Sequence, residues 1–130
     1  MDLYQEIILD HFKYPRNEGL LDKPDIFAED LNPLCGDKVN INLKVDETGK
    51  ILQMGFVGEG CAISKASTSI LSEDIIGKNI DEIELMPDAK IYEMIHVEVS
   101  PARVKCALLG LSTIKKAIKI YKVSKNNEQG

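Results

Sequence analysis

The 130 residues suffice for one domain that buries most of its apolar side chains without a metal or disulfide as staple. With 44% hydrophobic and 28% charged residues, and no apolar run near the roughly 18 residues of a membrane span, the chain reads as neither disordered nor membrane-spanning. A formal charge of -5 excludes a general nucleic-acid binder, which needs a basic surface to release phosphate counterions, and leaves proteins or small ions as fitting partners.

The opening Met1 to Glu6 carries acids where an export signal would carry basic residues before an apolar core, so the expected compartment is the cytoplasm. Three cysteines there are expected to be reduced and available. Leu3, Tyr4, Ile7, Ile8 and Phe12 recur at helical spacing and predict a short amphipathic helix, ended by Pro15, Asn17 and Gly19. From Leu20 to Leu34, Pro24, Pro33 and scattered acids show no clear period, which reads as an extended loop delivering Cys35. Val39, Ile41, Leu43 and Val45 alternate with polar residues as in a half-buried strand. Asp46 to Lys50 supplies a turn, and Ile51 to Val57 returns as the second arm of a hairpin. Two strands are rarely stable alone, so a third is expected around Ile26 to Ala28, with helices covering one face.

The run from Ala62 to Leu71 predicts a helix with small side chains that lies close to the sheet and that Gly77 closes. Two short helical pieces follow, Asn79 to Leu85 and Asp88 to Val97, separated by Pro87. Ser100-Pro101 is a helix-start signal. In the long helix beyond it, Val104, Leu108, Leu111, Ile114, Ile118 and Tyr121 form one stripe, with Lys115, Lys119 and Lys122 away from it. These cations, with Lys105, Lys116 and Lys125, read either as a solvated helix face or as a docking surface for an acidic protein. The domain is expected over 1–125, with a flexible polar tail at 126–130.

Chemistry concentrates at the cysteines. Cys35-Gly36-Asp37 sets a soft thiolate and a hard carboxylate two positions apart, with a glycine that lets the backbone turn so both can face one ion. Cys61 sits at a helix start, where unsatisfied amides and the positive dipole end favour a thiolate. Cys106 flanks the apolar stripe of the last helix on a row with Gly110, Thr113 and Ala117, and is expected to point along the domain surface. Small buried core residues are the alternative role for cysteines. No CxxC pair exists, so any site must be assembled by folding, and three thiolates with a carboxylate suit either tetrahedral zinc or a two-iron cluster. His11, placed after the first helix, and His96 are read as structural or exposed rather than ligating. Lys65 and Arg103 read as surface residues or as part of a partner-facing patch.

The wording Asn32-Pro33-Leu34-Cys35-Gly36-Asp37, Gly58-Glu59-Gly60-Cys61-Ala62-Ile63-Ser64-Lys65-Ala66-Ser67 and Pro101-Ala102-Arg103-Val104-Lys105-Cys106-Ala107 resembles the U-type iron-sulfur scaffold family of IscU, SufU and the amino-terminal domain of NifU. The opening Leu3-Tyr4 through Asp10-His11, with Pro15-Arg16-Asn17 and Gly19, matches as well. The resemblance implies an α+β domain, a small three-stranded antiparallel sheet with helices packed on it and a long C-terminal helix, that acts as a scaffold: it receives sulfur from a cysteine desulfurase and iron from a donor, and passes a transient [2Fe-2S] cluster to apo acceptor proteins. It places Cys35, Asp37, Cys61 and Cys106 in the ligand positions, with Cys35 or Cys106 as first persulfide acceptor. The alternative it implies is a zinc-dependent sulfur relay for the desulfurase; a purely structural zinc domain ranks below both, because the core is ample without metal.

Two features divide the subtypes. Lys105 stands where IscU-like members carry a histidine, which resembles the SufU-like pattern and excludes a histidine ligand there; it reads as an exposed helix lysine or as a cation facing the thiolates. The 44 residues between Cys61 and Cys106 are too few for the SufU-like insertion, so the length is IscU-like. The Leu-Pro-Pro-Val-Lys peptide that IscU-like members present to a chaperone is replaced by Val99-Ser100-Pro101-Ala102-Arg103, which argues against chaperone recognition.

Overall fold

Three segments pair into an antiparallel sheet of order β1-β2-β3: β1 (Ile26–Asn32), β2 (Asp37–Val45) and β3 (Ile51–Glu59). The computed structural model describes residues 3–33, 36–95 and 101–129. The hairpin between β2 and β3 follows from its turn. Asp46 accepts hydrogen bonds on its side chain from the amides of Thr48 and Lys50, and Gly49 takes the positive φ of 90° that closes the reversal.

The loop expected over Leu20 to Leu34 is corrected: it contains the whole of β1, longer than the Ile26 to Ala28 segment anticipated as a third strand. Ile26, Ala28 and Asn32 are buried, whereas Phe27, Glu29 and Leu31 are exposed. Apolar residues on both faces, with Glu29 and Asp30 between them, hide the two-residue period. Pairing with β2, from Ile26 opposite Leu43 to Asn32 opposite Asp37, sets the register.

Among the described residues, α2 (Ala62–Ile75) and α5 (Val104–Gln129) pack on the buried face, while α1 (Leu3–Lys13), α3 (Ile80–Glu84) and α4 (Ala89–Ile95) pack against these two; α5 is entered through a 3-10 turn over Pro101–Arg103. α3 starts with a capping box in which Asn79 and Glu82 satisfy each other's backbone amides. Gly77, at φ 94°, follows the end of α2 as expected. α5 runs to Gln129 and so takes in 126–129, the segment read as a tail. The core closes where Ile41, Leu43 and Phe56 of the sheet meet Leu111, Ile114 and Ile118 of α5, all at most 1% exposed. Each such side chain contributes about 1.5–3 kcal/mol on burial.

Two expectations on individual residues change. His11 lies inside α1, not after it, because the helix continues to Lys13. Cys106 is fully buried rather than pointing along the surface. The row it shares with Gly110, Thr113 and Ala117 is packed, since α2 crosses α5 there: a Cβ on Gly110 would stand 2.5 Å from Thr68 Oγ1. His96 and Ser100 lie outside the described residues.

Candidate metal centre

At one end of the sheet, three elements deliver one donor each. Asp37 is the first residue of β2, Cys61 is the N-cap of α2 immediately after β3, and Cys106 sits in the first turn of α5. One ligand atom from each, two sulfurs and a carboxylate oxygen, lies within 4.8 Å of the others. Asp37 and Cys106 are buried and Cys61 is half-buried, so the cluster opens on the Cys61 side. Cys35, the remaining sequence candidate, lies outside the described residues, two positions from Asp37.

The junction between β3 and α2 explains the approach. Asp37 Oδ1 accepts a hydrogen bond from the Cys61 amide at 2.7 Å, and Oδ2 stands 3.5 Å from Cys61 Sγ, with the thiol as donor. Gly60 makes this possible. Its φ is 125°, and a Cβ there would fall 2.0 Å from Asp37 Oδ1, so only glycine lets the strand end fold over the carboxylate. Gly36 has the positive φ of 73° that its place between Cys35 and Asp37 suggested. On the α5 side, Gly110 lets α2 and α5 approach closely one turn beyond Cys106.

Neither Gly60 nor Gly110 was singled out from the sequence for these roles. The available signal for Gly60 was a glycine directly before a cysteine at a helix start; for Gly110 it was a lone glycine inside a helical pattern.

The surrounding charges are mostly engaged elsewhere. Lys65 pairs with Glu18 at 3.0 Å and Lys38 with Glu29 at 3.2 Å. Lys105 and Arg103 are exposed. His11 is structural: it is buried, with Nδ1 2.7 Å from Ser69 Oγ and Nε2 3.7 Å from Glu73. Ser69 Oγ also accepts from the Arg16 amide, so one hydroxyl links His11 to the backbone beyond α1. Burial, and then the Arg16 guanidinium, hold this imidazole below its usual 6.5.

The donor set fits a thiophilic cation. For tetrahedral zinc, with Zn–S about 2.3 Å and Zn–O about 2.0 Å, sulfur and oxygen ligands stand roughly 3.5 Å apart. Cys61 Sγ and Asp37 Oδ2 are at 3.5 Å. Once the thiol gives up its proton, donors this close repel unless a cation lies among them.

Fold and donors together define an α+β domain that presents two thiols and a carboxylate at the end of its sheet. The chain belongs to the NifU-like N-terminal domain family, whose model matches residues 3–128. The iron-sulfur cluster assembly scaffold protein IscU of Haemophilus influenzae is 36% identical to it, over 92% of this chain and 95% of that protein. The zinc-dependent sulfurtransferase SufU of Bacillus subtilis is 35% identical, over 89% of each chain. Among solved structures, a candidate iron-sulfur cluster assembly scaffold protein for the SUF system from Fervidobacterium islandicum superposes with a TM-score of 0.74 at 32% identity, covering 87% of this chain and 94% of that one. Among the described residues, no helix is long and apolar enough to cross a membrane.

Proposed function

We propose that this chain is an assembly scaffold that builds a transient [2Fe-2S] cluster as its cargo and hands it on, with Cys35, Asp37, Cys61 and Cys106 as ligands. The reading rests on one observation above others: Asp37, Cys61 and Cys106, far apart in sequence, bring their donor atoms within 4.8 Å of one another. Sulfur would come from a cysteine desulfurase, iron from a donor protein or the free ion, and the product would pass to apo iron-sulfur acceptors. In the sulfur step a thiolate of this chain, on Cys35 or Cys106, attacks the outer sulfur of the desulfurase persulfide. A new S–S bond forms on this chain and the desulfurase thiolate leaves, with no net electron transfer. The burial of Cys106 favours Cys35 as first acceptor, because attack needs access.

Reconstitution tests the proposal. Anaerobic protein given desulfurase, cysteine and ferrous iron should turn brown, with visible charge-transfer absorption that follows added apo acceptor to its new host. A protein that stays colourless with stoichiometric iron and sulfide overturns it.

A second reading, a zinc-dependent sulfur relay for the desulfurase, is favoured by the closeness of the same donors. A cluster spreads its ligands over two irons, whereas three donors within 4.8 Å suit a single ion as they stand. Bound zinc would hold the thiolates deprotonated and together; Asp37, Cys61 and Cys106 would position it, and release of one cysteine would supply the nucleophile. Tight retention of one zinc, with stimulation of desulfurase turnover and no brown species, selects this reading.

A further inference from the structure

The outer face of α5 is not uniformly polar. Ile120 and Val123 are each 55% exposed, and Leu85, the residue that ends α3, is 83% exposed. Together with Lys115, Lys116 and Lys119 they line an open groove of about 1000 Å³ between α3 and α5. Three large aliphatic side chains standing together in water on one groove mark an interaction site more than a solvated face.

The two banks of the groove differ in charge. Asp81 and Glu84 on the α3 bank share the single ammonium of Lys122, which leaves that bank one negative charge. Lys115 donates to the carbonyl of Met86, which leaves its charge uncompensated. Lys116 reaches the Glu29 carbonyl and, at 3.9 Å, Asp30. Lys119 has no hydrogen bond or ion pair among the described residues. The α5 bank thus carries a row of cations beside the apolar floor, in a chain whose net charge is -5.

Shape narrows the occupant. From Ser112 to Val123 the groove follows α5 for about 16 Å, or three helical turns. Both banks are helices, so no strand edge is offered for β-addition. A helix with apolar residues at i, i+3 or i+4 and i+7 fills such a groove. We propose that this groove docks an acidic amphipathic helix of a partner protein, its apolar side chains on Leu85, Ile120 and Val123 and its carboxylates against Lys115 and Lys119. Ile120 lies 14 residues beyond Cys106, about 21 Å along the helix, so a partner held here leaves the donor cluster accessible. The inference stands whether that cluster carries iron and sulfur or zinc.

The test uses the full chain and a fluorescein-labelled synthetic helix with leucines at that spacing and glutamates elsewhere, followed by anisotropy. Binding should saturate, weaken as salt rises from about 0.05 to about 0.5 M, and drop at least about thirtyfold, the size of a hot-spot loss, in Ile120→Glu and in Lys119→Glu. A counterpart with lysines for glutamates should not bind. Both variants should keep wild-type melting temperature and zinc affinity; loss of either assigns these residues to the fold or the metal site and overturns the proposal. So does absent saturation, indifference to both substitutions, or equal binding of the lysine peptide. A dimer abolished by Ile120→Glu would give the groove to a second copy, and anionic-vesicle binding abolished by Lys119→Glu would give it to a membrane; either overturns the partner helix.

Discussion

The backbone amide of Cys61 donates to Asp37 Oδ1 at 2.7 Å while the sulfur of the same residue stands 3.5 Å from Oδ2. One carboxylate therefore fixes the junction of β3 with α2 and offers an oxygen donor beside the thiol, and two substitutions separate these tasks. Asp37→Asn keeps a carbonyl oxygen for the amide, so stability should fall by less than about 1 kcal/mol; Asp37→Ala leaves a partly buried amide unpaired, at a cost of about 1–3 kcal/mol. Zinc affinity, read by chelator competition, should drop in both. If the alanine variant unfolds in urea like the asparagine variant, the amide contact contributes nothing.

Asp37→Cys changes the donor without removing it. A carboxylate is a harder ligand than a thiolate and holds a soft centre less firmly. The cysteine variant should therefore keep a reconstituted cluster longer and pass it to an apo-ferredoxin more slowly than wild type. Equal transfer rates would show that lability does not come from this ligand.

Gly60→Ala probes the same junction from the backbone. The new Cβ would meet Asp37 Oδ1 at 2.0 Å at a residue whose φ is 125°. Relief requires moving the carboxylate or the strand end, so the expected loss is at least about 1–3 kcal/mol. Because the carboxylate moves, zinc affinity falls with stability. Wild-type affinity at reduced stability would place the strain away from the donors.

Much of this arrangement was legible in the sequence, and the gaps have physical causes. The alternation from Val39 to Val45 and the turn at Asp46 to Lys50 gave the hairpin because one face of each strand is buried. β1 was read mainly as loop because Phe27 and Leu31 are apolar yet exposed, so its pattern carries no period until β2 is beside it. Cys61 at the start of α2 followed from local signals, whereas the burial of Cys106 depends on where α2 crosses α5, which no helical periodicity encodes. The approach of Gly60, just past β3, to Asp37 at the start of β2 is likewise a property of the folded sheet.

His11 ties α1 to α2 and gives stability a pH dependence of definite sign. Burial and Arg16 hold it below 6.5 in the fold, against smaller opposing pulls from Glu73 and Asp10, while in the unfolded chain it titrates near its usual value, about 6.5. Below that value the unfolded chain takes up the proton first. The stability that rests on neutral His11 is therefore complete above about 6.5 and is lost as pH falls from there toward the folded value. Urea midpoints at pH 7.5 and 5.5 should differ less in His11→Gln than in wild type. Equal differences would mean that other groups carry the dependence.

Gly110 and Thr68 set how closely α5 lies on α2, and through that spacing the place of Cys106 one turn earlier. A Cβ on Gly110 would stand 2.5 Å from Thr68 Oγ1 and 3.2 Å from its Cβ. Gly110→Ala gains about 1 kcal/mol of helix propensity, but overpacking at a buried crossing costs about 1–3 kcal/mol, and a 2.5 Å contact puts the cost toward the upper end. The single variant should be destabilised and should bind zinc more weakly, because the helices part where Cys106 is held. Thr68→Ala removes Oγ1 and leaves only the 3.2 Å neighbour, so adding Gly110→Ala to that background should be close to neutral and should restore affinity. The resulting coupling, about 1–2 kcal/mol by a double-mutant cycle, is what contact between these two residues requires; additive effects on stability would show that the helices adjust independently of this pair.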